Sequence, residues 1–237
     1  MMTERSMIYK YLINIVFPNV CPICGKIIEW DELLCADCIE KLPYNDDKLC
    51  SVCGKRRCRE HSLITFDGVY TLVRYEEPVI SAIYELKNGE SLNLSEFAAL
   101  KLAAEIKKDG IADKIDIVTS VPMNWRKKSD KGINHADKTA GFMAAELKKP
   151  LGLFLLKKRR DKTVQHKLAP EERMSHANDV FRISNKHIDI KGKSVLICDD
   201  VYTTGATFNR CASLLKQMGA DKVYCMAIAN TELDEKG

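Results

Sequence analysis

Residues 195–207, VLICDDVYTTGAT, constrain the fold of this 237-residue chain more than any other stretch. Val195, Leu196, Ile197 and Cys198 form a strand with no polar face, which has to be covered on both sides, as in a parallel sheet between helices. Two carboxylates, Asp199 and Asp200, close the strand. A turn rich in hydroxyls and glycine follows, and an amphipathic helix is predicted over 206–218, closed by Gly219. Further strands are predicted over 66–75, 115–121, 153–156 and 223–229. Helices are expected over 78–86, 94–106, 135–147 and 170–178, the first two split by the Asn88-Gly89 turn. Apolar strands alternating with helices of this length indicate an α/β fold, a mainly parallel sheet flanked by helices.

The turn carries chemistry as well as topology. A strand, a glycine-containing loop and a helix start gather backbone N–H groups around one anion. Thr203, Thr204 and Thr207 add hydroxyl donors, Gly205 lets the backbone turn where a Cβ would clash, and Ala206 opens the helix. A threonine cap alone would need a single hydroxyl. Asp199 and Asp200 would repel a phosphate, but as acceptors they suit the paired hydroxyls of a ribose. Together the two halves fit a sugar carrying a 5′-phosphate. A Walker-type nucleotide site is excluded, because Gly192-Lys193-Ser194 precedes its strand and lacks the upstream glycine.

Two basic segments are candidates for holding further phosphate. The strand over 115–121 runs into Pro122, Arg126, Lys131, Gly132 and Asn134, a strand end followed by a basic loop and a helix start, which reads as a second anion site or as a solvated charged loop. Lys157, Lys158, Arg159, Arg160 and Lys162, followed by Gln165, form a denser run. It reads as a flap closing over a polyphosphate, as a surface for nucleic-acid phosphates, or as a solvated charged run.

Seven of the ten cysteines fall between Cys21 and Cys58. Cys21/Cys24, Cys35/Cys38 and Cys50/Cys53 are CxxC knuckles, and Cys58/His61 repeats the spacing with histidine last. Eight ligands suffice for two tetrahedral sites, and thiolates in ribbon-like spacing favour structural Zn2+. Sequential pairing assigns Cys21, Cys24, Cys35 and Cys38 to one ion and Cys50, Cys53, Cys58 and His61 to the other; a crossed pairing would use the same residues. Few large apolar residues (Ile28, Trp30, Leu33, Leu34, Leu42) accompany them, too few for a self-sufficient core. A short helix is predicted over 6–16. The expected division is a helix and double zinc ribbon over 1–61 and an α/β domain over 62–237. Cys198, Cys211 and Cys225 read as buried small hydrophobes.

No secretory signal or apolar membrane-spanning run is legible, so a cytoplasmic protein without membrane insertion is expected. In a reducing compartment, paired cysteines more often hold metal than form disulfides. A net charge of +4 points neither to nor away from nucleic acid.

The 195–207 stretch closely resembles the phosphoribosyl-diphosphate (PRPP) loop of type I phosphoribosyltransferases. Zinc knuckles, a Val121-Pro122 basic loop, the Gln165–Leu168–Arg173–Asn178–Phe181 pattern and the DDVYTTGAT loop, in that order, resemble the ComF family. That resemblance implies relatives of amidophosphoribosyltransferases implicated in DNA uptake during natural competence. The run Lys131-Gly132-Ile133-Asn134-His135 keeps the charge, glycine and asparagine of the family's pattern, but not its arginine fork or glutamine amide. Leu86-Lys87 also matches a family pair.

Two functions follow as expectations. In one, Mg2+-PRPP binds and a phosphoribosyltransferase reaction expels pyrophosphate; no residue identifies the catalytic groups or the acceptor. In the other, the pocket and basic loops bind a nucleotide or single-stranded DNA without catalysis, alongside a competence DNA-uptake helicase. Trp125 and Tyr202 are then the candidate stacking aromatics.

Overall fold

The computed structural model describes residues 18–45, 49–55, 61–62, 64–89, 91–123, 134–158, 180–184 and 188–231. The helices expected over 6–16 and 170–178 lie outside these residues.

Four parallel strands form the central sheet: β1 (Gly68–Arg74), β2 (Ile117–Ser120), β5 (Ser194–Tyr202) and β6 (Lys222–Asn230), in the order β1-β6-β5-β2. Side chains alternate across it as a doubly covered sheet requires. From β5 and β6, Leu196, Cys198, Tyr224, Met226 and Ile228 join one core. Val195, Ile197, Val223, Cys225 and Ala227 join the other. Three helices cover the first face: α2 (Val79–Asn88), α3 (Asn93–Lys108) and α4 (His135–Leu147). The second face is covered by α5 (Ala206–Gln217) and a small antiparallel pair, β3 (Leu156–Lys158) with β4 (Phe181–Ile183).

The sequence pattern did not signal β4, and two other strands depart from their expected bounds. The one expected over 153–156 starts only at Leu156, because Phe154 has φ 68, a left-handed conformation that ends an extended run. In the other direction, β5 runs past its acidic pair to Tyr202, since Asp199, Val201 and Tyr202 still pair with Ala227, Ala229 and Asn230 of β6.

The cysteine segment leans on this body. Its two CxxCGK knuckles carry the same backbone bonds: Gly25 N–H donates to Cys21 O (2.8 Å) and Gly54 N–H to Cys50 O (2.7 Å). The short helix α1 (Ala36–Lys41) opens directly on the Cys35 knuckle. Cys21, Ile28, Leu34 and Leu42 are buried in the same core as α2–α4. The chain leaving the first ribbon lines the free edge of β1: Arg74 N–H donates to Pro43 O (2.8 Å) and Asn45 N–H to Leu72 O (3.0 Å). That pairing covers a sheet edge which would otherwise invite association.

Candidate ligand and metal sites

The carboxyl ends of β2 and β5 lie side by side, with Ser120 paired to Cys198 and Val121 N–H donating to Cys198 O (2.9 Å). Ligands of open α/β sheets bind beyond such strand ends. After β5, Thr203, Thr204, Ala206 and Thr207 are exposed around buried Gly205. Gly205 is the N-cap of α5 with φ 80 and has no side chain to cap the first helical amides. Ala206 N–H reaches Thr204 Oγ1 at 3.3 Å. The helix start thus presents amides and hydroxyls outward, the arrangement an anion requires.

The acidic pair behaves differently from a simple double acceptor. Because β5 stays extended, its alternation sends Asp200 toward the α2 side and Asp199 toward the α5 side. Asp200 Oδ2 pairs with Lys87 Nζ at the end of α2, 2.8 Å away, and its Oδ1 accepts from Val201 N–H (2.8 Å). Asp199 Oδ1 accepts from Asp200 N–H (3.0 Å). Burial, then the neighbouring Asp200 charge, hold the Asp199 carboxyl well above the ordinary carboxylate range. The sequence singled out Lys87 without a role; the structure brings it onto the acidic pair.

Tyr202 is not a stacking platform. Its ring is 3% exposed and stacks on Phe208 at 5.8 Å, and its hydroxyl donates to Cys53 O at 2.6 Å. As the last residue of β5 it points down into the molecule. Trp125 lies outside the described residues.

Just past the end of β2, Pro122 follows Val121. Asn134 is buried at the start of α4, and its Nδ2 donates to Asp137 Oδ1, which also accepts from Ser120 Oγ. One carboxylate therefore ties together the two ends of the basic loop, an anchor that nothing in the sequence pattern signalled. Arg126, Lys131 and Gly132 lie outside the described residues. Lys157 and Lys158 are exposed on β3, with Lys158 Nζ 5.3 Å from the Phe181 ring centre. Arg159, Arg160, Lys162 and Gln165 lie outside.

The ligand atoms of Cys21, Cys24, Cys35 and Cys38 lie within 4.8 Å of one another, as do those of Cys50, Cys53 and His61. Cys24 and Cys35 Sγ are 3.7 Å apart, and two thiolates on a tetrahedral zinc would be about 3.8 Å apart. Cys50 Sγ and His61 Nε2 are 3.3 Å apart. Burial pushes the Cys21 thiol up, but the backbone amides of Cys35, Ile23 and Cys24 outweigh it and bring it down to about 7. Cys50 is drawn to about 7 in the same way, with His61 contributing. Burial and its three neighbouring thiols push Cys38 the opposite way. Four sulfur ligands gathered at this mutual distance fit a structural zinc ion. Cys58 lies outside the described residues.

These features define a phosphoribosyltransferase-type α/β fold carrying an N-terminal double zinc ribbon. Residues 12–67 match the double zinc ribbon domain family, and residues 138–236 match the phosphoribosyl transferase domain family. The chain is homologous to the DNA utilization protein YhgH of Escherichia coli (strain K12), with 25% identity over 216 residues, 90% of this chain and 91% of that one. It is similar to competence protein ComFC of Streptococcus pneumoniae (strain ATCC BAA-255 / R6), 27% identical over 210 residues, 84% of this chain and 88% of the relative. Among solved structures, the purine phosphoribosyltransferase from Pyrococcus horikoshii Ot3 matches at 20% identity and TM-score 0.38, over 58% of this chain and 72% of that one. The ComF resemblance read from the sequence holds over nearly the whole chain. Among the described residues, no helix is long and apolar enough to cross a membrane.

Proposed function

We propose that the chain binds PRPP, or a related ribose 5-phosphate ester, at the end of β5 and serves DNA uptake in the cytoplasm. The observation that carries this reading is the exposed Thr203–Thr207 turn capped by a bare glycine beside two carboxylates. In this reading, the amides and hydroxyls of Thr203, Thr204, Gly205, Ala206 and Thr207 take the 5′-phosphate. Asp199 and Asp200 accept the ribose hydroxyls, Asp200 exchanging its Lys87 partner for them. Pro122, Arg126, Lys131, Gly132 and Asn134 belong to the pyrophosphate loop, and the run from Lys157 to Gln165 forms the flap. Mg2+ bound with PRPP would neutralise the pyrophosphate as it leaves, in a transferase reaction whose acceptor the chain does not name. The division into a ribbon module over 1–61 and a transferase-type domain over 62–237, with Cys58 completing the second metal site, is part of the same proposal.

Calorimetry with Mg2+-PRPP tests it. Binding is expected, and Asp200→Asn and Thr204→Ala each weaken it about tenfold. No heat at millimolar PRPP would remove the enzyme reading.

A second reading, single-stranded DNA held by the basic surface beside an uptake helicase, is favoured by the exposed Lys157 and Lys158 and by the names of the relatives. It predicts affinity falling steeply with salt, with a flatter slope once both lysines are neutralised. A salt-independent signal would end it.

A further inference from the structure

The second ribbon grips the phosphate loop from both flanks. Before the loop, the Tyr202 hydroxyl donates to the carbonyl of Cys53, a residue of the CxxC knuckle that is itself 1% exposed. Two glycine turns close on opposite edges of that ring. A Cβ on Gly54 would stand 3.3 Å from Tyr202 Cε1, and one on Gly205 would stand 2.8 Å from Oη and 3.3 Å from Cε2. Both glycines have positive φ, 65 and 80, so each turn is held in a shape that fits the ring and that other residues resist. Asn230 Nδ2 donates to Gly54 O at 2.9 Å and fixes the knuckle to β6. After the loop, Asn209 in the first turns of α5 accepts Thr65 N–H through Oδ1 (2.8 Å) and Thr65 Oγ1 through its carbonyl (2.7 Å). Thr65 follows His61 by four residues, and Ile64 N–H donates back to His61 O at 2.9 Å.

We propose that the second ribbon is a working part of the phosphate loop, with Tyr202 and Thr65 as positioning residues. When Cys50, Cys53 and His61 are gathered on a metal ion, the Cys53 carbonyl is fixed. The Cys53 carbonyl sets Gly205 through Tyr202, and His61 sets the start of α5 through Ile64 and Thr65. Metal at this ribbon and a phosphate ester at the loop then favour each other, and linkage makes the effect reciprocal. The first ribbon has no such connection among the described hydrogen bonds: its contacts go to α3, where Asn93 Nδ2 donates to Asn19 Oδ1, and to the β1 edge. The identity of the ligand rests on the phosphate-loop reading; the clasp itself can be tested without it.

The experiment follows metal release from each ribbon in cadmium-substituted protein, with the all-sulfur and histidine-containing sites resolved by cadmium NMR. Tyr202→Phe keeps the ring and deletes one buried hydrogen bond. It is expected to speed release from the Cys50/Cys53/His61 site about fivefold and to leave the Cys21–Cys38 site unchanged. Thr65→Val, which spares the core ring, is expected to act in the same direction. Saturating ribose 5-phosphate is expected to slow release from the second site in the wild type, and to do so less in Tyr202→Phe. Equal second-site release in the wild type and both variants would overturn the clasp. A ribose 5-phosphate effect of the same size in Tyr202→Phe would overturn Tyr202 as the link. If the loop amides show no response to ribose 5-phosphate, the phosphate reading fails instead, because the comparison of variants needs no ligand.

Discussion

Along β5 and β6, the side chains of Val195, Leu196, Ile197, Cys198, Cys225, Met226, Ala227 and Ile228 are fully buried. In the described part of the cysteine segment, the buried hydrophobic side chains are Cys21, Ile28, Leu34, Leu42 and Cys53. Two of those five are themselves metal-ligand candidates, and Trp30 remains 48% exposed. One region is ordered by apolar burial between helices; the other is ordered by ligand geometry and by leaning on its neighbour. The contrast explains how a segment with so little core can still hold the Cys53 carbonyl against Tyr202.

The largest expected effect separates the two regions outright. Metal binding to a structural zinc site supplies on the order of 10 kcal/mol of folding free energy. Chelation, or Cys21→Ser, is therefore expected to expose the first ribbon to protease while a resistant sheet fragment survives, as mass spectrometry of limited digests would show. A single transition that removes both regions together would show that they share one source of order.

A core cavity probes the other side. Leu196 is fully buried, and Leu196→Ala is expected to cost about 2–5 kcal/mol in urea unfolding. Zinc content should be unchanged; zinc lost in parallel would show that the sheet, not the ligands, orders the ribbon.

Asp199 sharpens the boundary between stability and function. Its folded carboxyl binds a proton more tightly than it would in the unfolded chain. Native stability at this group therefore falls as pH rises from the ordinary carboxylate range through the raised folded value. Asp199→Asn removes that loss. The variant is expected to be more stable than wild type at pH 8, to lose the advantage as pH falls, and to bind ribose phosphate more weakly. Parallel stability curves for the two proteins would contradict the burial argument.

The smallest effect is expected at Lys87. Its ion pair with Asp200 is partly exposed, with 42% of the lysine side chain open to solvent. Lys87→Met should change unfolding free energy by less than about 1 kcal/mol. A larger loss would make the pair a structural brace of the sheet end.

The sequence showed most clearly what depends on neighbours in the chain. The apolar run 195–198, the glycine-bearing turn after it and the CxxC spacings each state a local rule, and the strands, the loop and the clustered thiols appear where those rules put them. What stayed hidden depends on partners far away. Tyr202 looked like a surface aromatic because its acceptor, the Cys53 carbonyl, is 149 residues distant in sequence. The opposed directions of Asp199 and Asp200 followed from β5 staying paired to β6 through Tyr202, and a run of two aspartates gives no hint of that. The anchor formed by Ser120, Asn134 and Asp137 was invisible for the same reason: it exists only once β2 and α4 are adjacent.

Amide NMR during titration with ribose 5-phosphate, with ribose and inorganic phosphate as separate arms, tests the proposed role of the Thr203–Thr207 turn most directly. The largest shifts are predicted at Thr203 to Thr207, stronger with the ester than with either fragment, and lost in Asp200→Asn at matched concentration. Shifts confined to the Lys157–Lys158 strand, or equal responses to phosphate and to its ribose ester, would contradict a loop that reads sugar and phosphate together.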